Sequence, residues 1–449
     1  MSIHAWVRAL FEGLVRFYYP WRTLRGGEHL PRKTCAILVA NHPNGLIDPL
    51  LIRVSTGVPA RFLAKSTLFK NPLARFTLNA FGALPVYRKQ DAGEGEHMRD
   101  GNEATFALAR EVLAQQHVLA LFPEGVSHAD PERKPLRTGA ARIALSAIAA
   151  HDACESMVIV PVGVEYAQRE IFRSAVCVRV GVPIDVRPLR ELYAQDSVQA
   201  VETLTSQIAD GLDTLIAQAP SYALLETMTR LADWTLLDEH VVELAQRDQR
   251  RTAILNAYRR LKLEDPVRLD ALTDEVLAYD AALRAHGIED PWALTLQSVS
   301  VRAAILGSLW LILFAPLALV GAALSWVPYR LVGVVAARVT PHRDVLGTVK
   351  LLGGMLFLSL AWLLESLLAA WRLGALYALA VLVLAPLSGY VALRWDERLR
   401  SARVAMGYAW FRAAHSDKQR KLDARRRALV HTVLEGLSEY EHERSRETN

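Results

Sequence analysis

Cysteine is scarce in this chain. There are three in 449 residues, Cys35, Cys154 and Cys177, with no CxxC pair and no Cys/His spacing that suits a metal or a disulfide frame. They lie in or beside apolar, strand-like runs, so they read as reduced core residues in a cytosolic setting. Long Lys/Arg blocks are absent too, and the net charge is +5. That excludes the usual nucleic-acid footprint and leaves a membrane surface or a small anionic ligand as partners for the basic side chains. No His/Asp/Glu cluster has ligand spacing, so no metal is expected. The N-terminal stretch does not look like a secretory signal, since Arg8, Glu12 and Arg16 interrupt it and no small-residue cleavage site follows. Apolar residues are abundant, at 52%, raised by one region near the C-terminus.

The chemistry begins at residues 34–48. The apolar run Ala36 to Ala40 is bounded by turn-formers and predicts a buried strand. It stops at Asn41-His42-Pro43-Asn44-Gly45, and Asp48 follows near the head of the next apolar segment. Open α/β sheets place ligands at such strand ends. A neutral His42 there can take a proton from a hydroxyl, and Asp48 on its other ring nitrogen would fix the tautomer and stabilise the imidazolium. A loop histidine that only caps backbone, with Asp48 as a helix-start residue, is the plainer alternative.

Three more strand ends carry polar or special residues. Gly82 to Arg88 ends one strand on a fixed cation whose geometry suits phosphate. Phe122-Pro123-Glu124-Gly125 ends the next; Gly125 lets backbone N–H groups approach an oxyanion, and Glu124 can bind a substrate hydroxyl or orient a neighbour. Val160-Pro161-Val162-Gly163 is a strand with an internal proline, which is allowed at an edge or bulge. Arg137 precedes a helix start and can help hold an anion there. Each is structural as readily as functional on its own; their order on successive strand ends links them.

Strand-like segments at 35–40, 60–64, 83–87, 117–122, 157–164 and 175–182 alternate with helical ones, notably 101–115 and 138–150. This predicts an α/β domain with a mixed, mostly parallel sheet flanked by helices. Five regions follow: an amphipathic surface helix in 1–29, the α/β domain over 30–190, a helical appendage over 191–300, a membrane region over 301–393 and a basic helical tail over 394–449. In the first helix Trp6, Leu10, Phe11, Leu14, Phe17 and Tyr18 are assigned to one face, for a headgroup layer or for the core. Residues 68–76 read as a second membrane-facing patch or as a buried connecting helix. Segments 303–327, 351–371 and 373–393 are each long enough to span a bilayer. Glu365 in the second needs a partner or water. A domain and a tail that are both cytoplasmic need an even number of crossings, so one segment, the Pro316-containing first, is expected to be re-entrant or interfacial; three true spans are the alternative.

Together the blocks resemble the glycerolipid acyltransferase family, over about residues 30–190. Asn41-His42 with Asp48 looks like its first motif, Gly82-x-Leu84-Pro85-Val86-x-Arg88 its second, Phe122-Pro123-Glu124-Gly125 its third and Val160-Pro161-Val162-Gly163 its fourth. The match is nearest to the branch holding the fungal-type dual-substrate glycerol-3-phosphate/dihydroxyacetone-phosphate acyltransferases. The His–Asp gap is five residues where most of the family has four, and Val126-Ser127 replaces the usual polar-Ser after Glu-Gly. The resemblance implies His42 as general base, Asp48 as its orienter, and Arg88 on the acceptor's phosphate with Glu124, Gly125 and Arg137 shaping that pocket; Pro161 and Val162 would line the acyl side. It implies no cofactor: acyl-CoA or an acyl carrier protein thioester is the co-substrate, a phosphorylated glycerol the acceptor, and membrane lipid the setting, with the catalytic domain and tail cytoplasmic. Lysophosphatidate acylation and thioester hydrolysis are the competing activities.

Overall fold

Alternating apolar runs close into one sheet in the computed structural model, which describes residues 2–31, 35–87, 97–237, 244–286, 288 and 301–447. Helix α1 (Ile3–Tyr18) leads to β1 (Arg22–Arg25) and β2 (Ala36–Ala40). Next come α2 (Ile47–Thr56), β3 (Arg61–Lys65), α3 (Pro72–Ala80), β4 (Leu84–Val86), α4 (His97–Ala114), β5 (Val118–Leu121) and α5 (Gly139–Ala150). Strands β6 (Val158–Tyr166), β7 (Val176–Val180) and β8 (Ile184–Asp185) precede α6 (Arg190–Gln195) and α7 (Ser197–Asp213). The strand order is β1-β7-β6-β2-β5-β3-β4, with β8 also beside β6. Only β6–β7 and β6–β8 are antiparallel. The mixed, mostly parallel sheet expected from the sequence is therefore present.

The run of small and branched residues in β2 follows from its place. Covered on both faces, the strand alternates between two cores. Cys35, Ile37 and Val39 point to the layer of α4, α5 and α7, while Leu38 and Ala40 point to α1 and α2. The three cysteines form no disulfide, and the buried thiols of Cys35 and Cys154 face each other in the first core.

The sequence reading is refined in four places. The catalytic unit runs to Gln218 and takes in residues 334–353, because α7 lays Ala200, Leu204, Ile208 and Leu212 under the sheet. Pro161 is interior, since β6 has β2 on one side and β8 then β7 on the other. Its missing N–H disturbs nothing because residues 160 and 161 lie where β8 pairing ends and β7 pairing begins. Helix α1 is apolar on two faces: Phe11, Leu14, Val15 and Tyr18 turn inward, whereas Ile3, Trp6, Leu10 and Phe17 are exposed. Segment 68–76 is not a buried connector, for Leu73 is 76% exposed on α3, beside α1.

The second unit, 219–333 with 354–449, is all helical. Helices α8 (Tyr222–Leu236), α9 (Leu244–Glu264) and α10 (Pro266–Ala285) pack with α14 (Ser416–Glu447), so the basic tail is one wall of a bundle. Trp234 and Tyr279 meet edge to face in its core, and Asp280 pairs with both Arg230 and Arg284. Between these come α11 (Val301–Val339), α12 (Arg343–Leu373) and α13 (Ala375–Ala414), three helices long and apolar enough to cross a membrane. The turn between α12 and α13 is at Gly374, with φ +100°, two residues beyond the expected break at Arg372. One carboxylate oxygen of Glu365 is buried without a hydrogen-bond partner.

Candidate active site

The strand ends converge where β2 stops. Asn41 is clamped to β6 by two hydrogen bonds: its amide donates to Val164 O at 3.0 Å and its carbonyl accepts Val164 N–H at 2.7 Å. This fixes the direction of the next residue. The His42 ring stacks on Phe122, centroids 3.8 Å apart and planes within 8°. Its Nδ1 lies 2.9 Å from Asp48 Oδ2. Asp48 is in the first turn of α2 and wholly buried. The extra residue in the His–Asp gap is absorbed by the turn at Gly45, where φ is +37°. With Nδ1–H donated to the carboxylate, the lone pair at Nε2 is the free one, and Nε2 has no protein partner among the described residues.

Asp48 is held from three directions. Besides His42, Asn44 N–H donates to Oδ2 at 2.7 Å and the Tyr166 hydroxyl donates to Oδ1 at 2.5 Å. The Asn44 side-chain amide in turn donates to the Tyr19 hydroxyl oxygen at 3.0 Å, and the Tyr19 hydroxyl donates to Arg169 O at 2.6 Å. Burial, and then the neighbouring Asp48 charge, push the Tyr166 phenol well above its ordinary range; burial and then Tyr18 do the same to Tyr19. Both remain neutral donors.

Glu124 occupies the second layer. Its carboxylate accepts His42 N–H at 3.3 Å and Lys134 N–H at 2.8 Å, and bonds His128 Nε2. With no side-chain surface left, Glu124 ties the backbone of this loop to His42 and Lys134. Gly125 takes φ +75°, and a Cβ there would lie 2.5 Å from Arg137 Nε. The Arg137 side chain thus runs close along this turn, exposed, with no ion pair among the described residues. Arg133 ties the following loop to α7 through two bonds to Asp213, 2.7 and 3.0 Å long.

Arg88 lies outside the described residues, one position beyond Tyr87. Pro161 and Val162 are both buried and point to opposite faces of β6: Pro161 toward Gly211 of α7, Val162 into the core beneath α1 and α2. They do not line one chamber. Residues that the sequence reading left without a role are Asn41, Asn44, Tyr19, Phe122, His128 and Tyr166. Also missed is Asp344, at the start of α12, whose carboxylate accepts the Ser127 hydroxyl at 2.5 Å. Gly347 of the same turn packs so close to Asn44 that a Cβ would meet its Oδ1 at 2.8 Å.

A strand-end histidine clamped by a buried aspartate, with an exposed arginine on the adjoining turn, lies in a domain of recognised kind: residues 22–165 match the acyltransferase family model. The curated proteins that the chain resembles include glycerol-3-phosphate acyltransferases. An uncharacterized acyltransferase of Schizosaccharomyces pombe is 26% identical over 373 residues, covering 63% of this chain and 54% of that protein. Glycerol-3-phosphate O-acyltransferase 2 of Saccharomyces cerevisiae is 30% identical over 208 residues, covering 45% and 27%. Glycerol-3-phosphate O-acyltransferase 1 of the same yeast is 29% identical over 285 residues, covering 59% and 37%. The chain thus spans about half, or less, of the length of these relatives.

Proposed function

We propose that this protein moves a fatty acyl group from a thioester to a hydroxyl of glycerol-3-phosphate or dihydroxyacetone phosphate at a membrane. The observation that carries this reading is the His42–Asp48 pair, 2.9 Å apart, with Nε2 left free. A base so held needs no protein nucleophile; the acceptor supplies its own. Nε2 takes the acceptor's hydroxyl proton as the oxygen attacks the thioester carbonyl. Asp48 offsets the imidazolium charge. Collapse of the tetrahedral intermediate expels the thiolate, which recovers the proton from His42. Arg137, exposed beside Gly125, is suited to the acceptor's phosphate, and Arg88 of the second motif is assigned to the same anion. The exposed apolar side chains of α1 and α3 suit a lipid surface that receives the product.

The test is an acyltransferase assay on detergent-solubilised protein with labelled long-chain acyl-CoA. Glycerol-3-phosphate, dihydroxyacetone phosphate and lysophosphatidate are offered separately, with His42→Ala in parallel. Transfer to glycerol-3-phosphate, falling about 10²–10⁴-fold in the variant, is expected. Activity on lysophosphatidate alone would keep the base and change the acceptor. Free fatty acid released without acceptor would favour thioester hydrolysis. No transfer from either acyl-CoA or acyl carrier protein, by folded protein, would end the proposal.

A further inference from the structure

Three candidate spans are an odd number, and two packing facts object to it. Helix α14 lies against α8, α9 and α10, burying Leu429, Val433 and Leu437. The chain before α11 and the chain after α13 are therefore on one side of any membrane. Residues 334–353, between α11 and α12, belong to the catalytic unit: Asp344 holds Ser127, Lys350 Nζ donates to Glu170 O at 2.9 Å, and Leu351 joins the core under α1. Among the described residues no candidate span separates the catalytic domain from α8. Both ends of α11 are consequently on the catalytic side.

The contacts of α11 show the same path. Helices α12 and α13 meet at Gly374, and the hairpin is closed by Ser366 donating to Ala378 O. Depth is counted from that turn at 1.5 Å per residue. The N-terminal part of α11 is shallow: Trp395 donates to Leu311 O and Arg398 lies over Trp310, ~31–36 Å from the turn. Gly321 then presses on Ser388 O, ~21 Å from the turn. Ser325 goes no deeper, meeting Trp362 and Gly389 ~18–22 Å from it. Only residues 340–342 join Val339 to Arg343, which bounds that gap at ~14 Å. Arg343 itself begins α12, ~46 Å of helix from the turn. The recorded contacts of α11 with α12 and α13 thus go no deeper than about half of the hairpin, while its last residues, 334–339, belong to the catalytic unit, and Pro316 and Pro328 are positions at which a helix can bend.

We propose that α11 is a re-entrant helix seated in one leaflet, that only α12 and α13 cross the bilayer, and that the returning α11–α12 corner supplies Asp344 as a positioning residue for the loop bearing Glu124 and His128. The length of α12 fits this division. Its turns up to Gly353 dock on the catalytic domain, and residues 354–373 remain, ~30 Å of helix, which is one hydrocarbon thickness. Charge fits as well: Arg302, Arg338, Arg343, Arg394, Arg398 and Arg403 lie at the shallow end, and Arg372 alone at the far turn. By the positive-inside rule the shallow face is cytoplasmic. Ile312, Leu313, Leu317 and Val320 of α11 are exposed and meet the acyl chains of that leaflet.

Single cysteines test the path in full-length protein carrying Cys177→Ser, since Cys35 and Cys154 are buried. Sealed vesicles of known orientation are treated with a membrane-impermeant maleimide. Glu132→Cys, Thr340→Cys and Lys418→Cys are expected to label from one face and Arg372→Cys from the other. Labelling of Thr340→Cys from the face of Arg372→Cys, or of Lys418→Cys opposite Glu132→Cys, overturns the topology. This arm needs no activity. The positioning role rests on the acyltransferase reading and is tested apart from it. Asp344→Ala is expected to lower kcat about 10-fold, the loss of one charge-assisted hydrogen bond, with KM for the acyl donor unchanged. Asp344→Asn keeps an acceptor for Ser127 and rescues. Ser127→Ala matches Asp344→Ala, and the double variant falls no further. Multiplicative losses, or no rescue by asparagine, overturn the role. Amide exchange across residues 122–130, faster in Asp344→Ala and normal in Asp344→Asn, reads the same tether even if no acceptor is acylated; unchanged exchange counts against it.

Discussion

Asp48 has no water to satisfy it. Its two oxygens are closed off by His42, Asn44 N–H and the Tyr166 hydroxyl, and the residue has no exposed surface. Removing one donor leaves a buried acceptor unpaired, at a cost of about 1–3 kcal/mol. Tyr166→Phe is accordingly expected to reduce kcat about 10-fold in the same assay. The pH dependence follows from the phenol. Its folded pKa is raised, by burial first and Asp48 next, so the stabilisation it gives is complete below about pH 10 and is lost as pH rises from there toward the folded value. Melting temperatures measured from pH 8 to 11 should therefore fall less steeply in Tyr166→Phe than in the parent. His42 and Asp48 were legible in the sequence because six positions separate them and a strand, a turn and a helix start were visible between. Tyr166 and Asp344 were not: their contacts with this loop span 118 and 217 residues, and neither sits in a pattern that marks it.

The turn from β5 to α5 carries the proposed anion side of the site. Gly125 is there because φ is +75° and because Arg137 crosses its Cα face. Gly125→Ala both strains the backbone and displaces the guanidinium. Its expected signature is a rise in KM for the phosphorylated acceptor larger than any fall in kcat, paralleled by Arg137→Ala; a KM unchanged from the parent in both variants would refute an anion site on this turn. At this scale the apolar strands β2, β5, β6 and β7 were legible, since strands covered on both faces are written in near-continuous apolar residues. Strand β1, Arg-Thr-Leu-Arg, was not. It is an edge strand paired only with β7, and its sequence shows neither alternation nor an apolar run. Two-residue β8 is too short to leave a periodic signal. The two-faced α1 was misread because helical spacing reports apolar positions without saying which of two neighbours each one meets.

At the level of the whole chain, the bundle of α8, α9, α10 and α14 joins segments separated by the entire apolar region. Leu429 is fully buried in it. Leu429→Ala should destabilise this unit by about 2–5 kcal/mol. Limited proteolysis would then release fragments from 416–447 first, while the 22–165 domain stays resistant; equal resistance of parent and variant would deny the tail its structural part. The basic composition that marked residues 394–449 as a tail concealed this, because Arg425 and Arg427 ride on the outer side of the helix while Arg426, equally basic in the sequence, is buried in the bundle.

The docking of α12 on the catalytic loop also sets an order in time. A ribosome delivers residues 22–165 long before it delivers Asp344, and Asp344 can follow only after the whole of α11 has been made. A nascent chain thus carries the base and its aspartate while the Glu124–His128 loop still lacks its outside tether. The first apolar segment reaches lipid before that tether exists. On the reading proposed above, the site is completed only when α12 is in place, and a chain that fails to insert lacks the Asp344 tether.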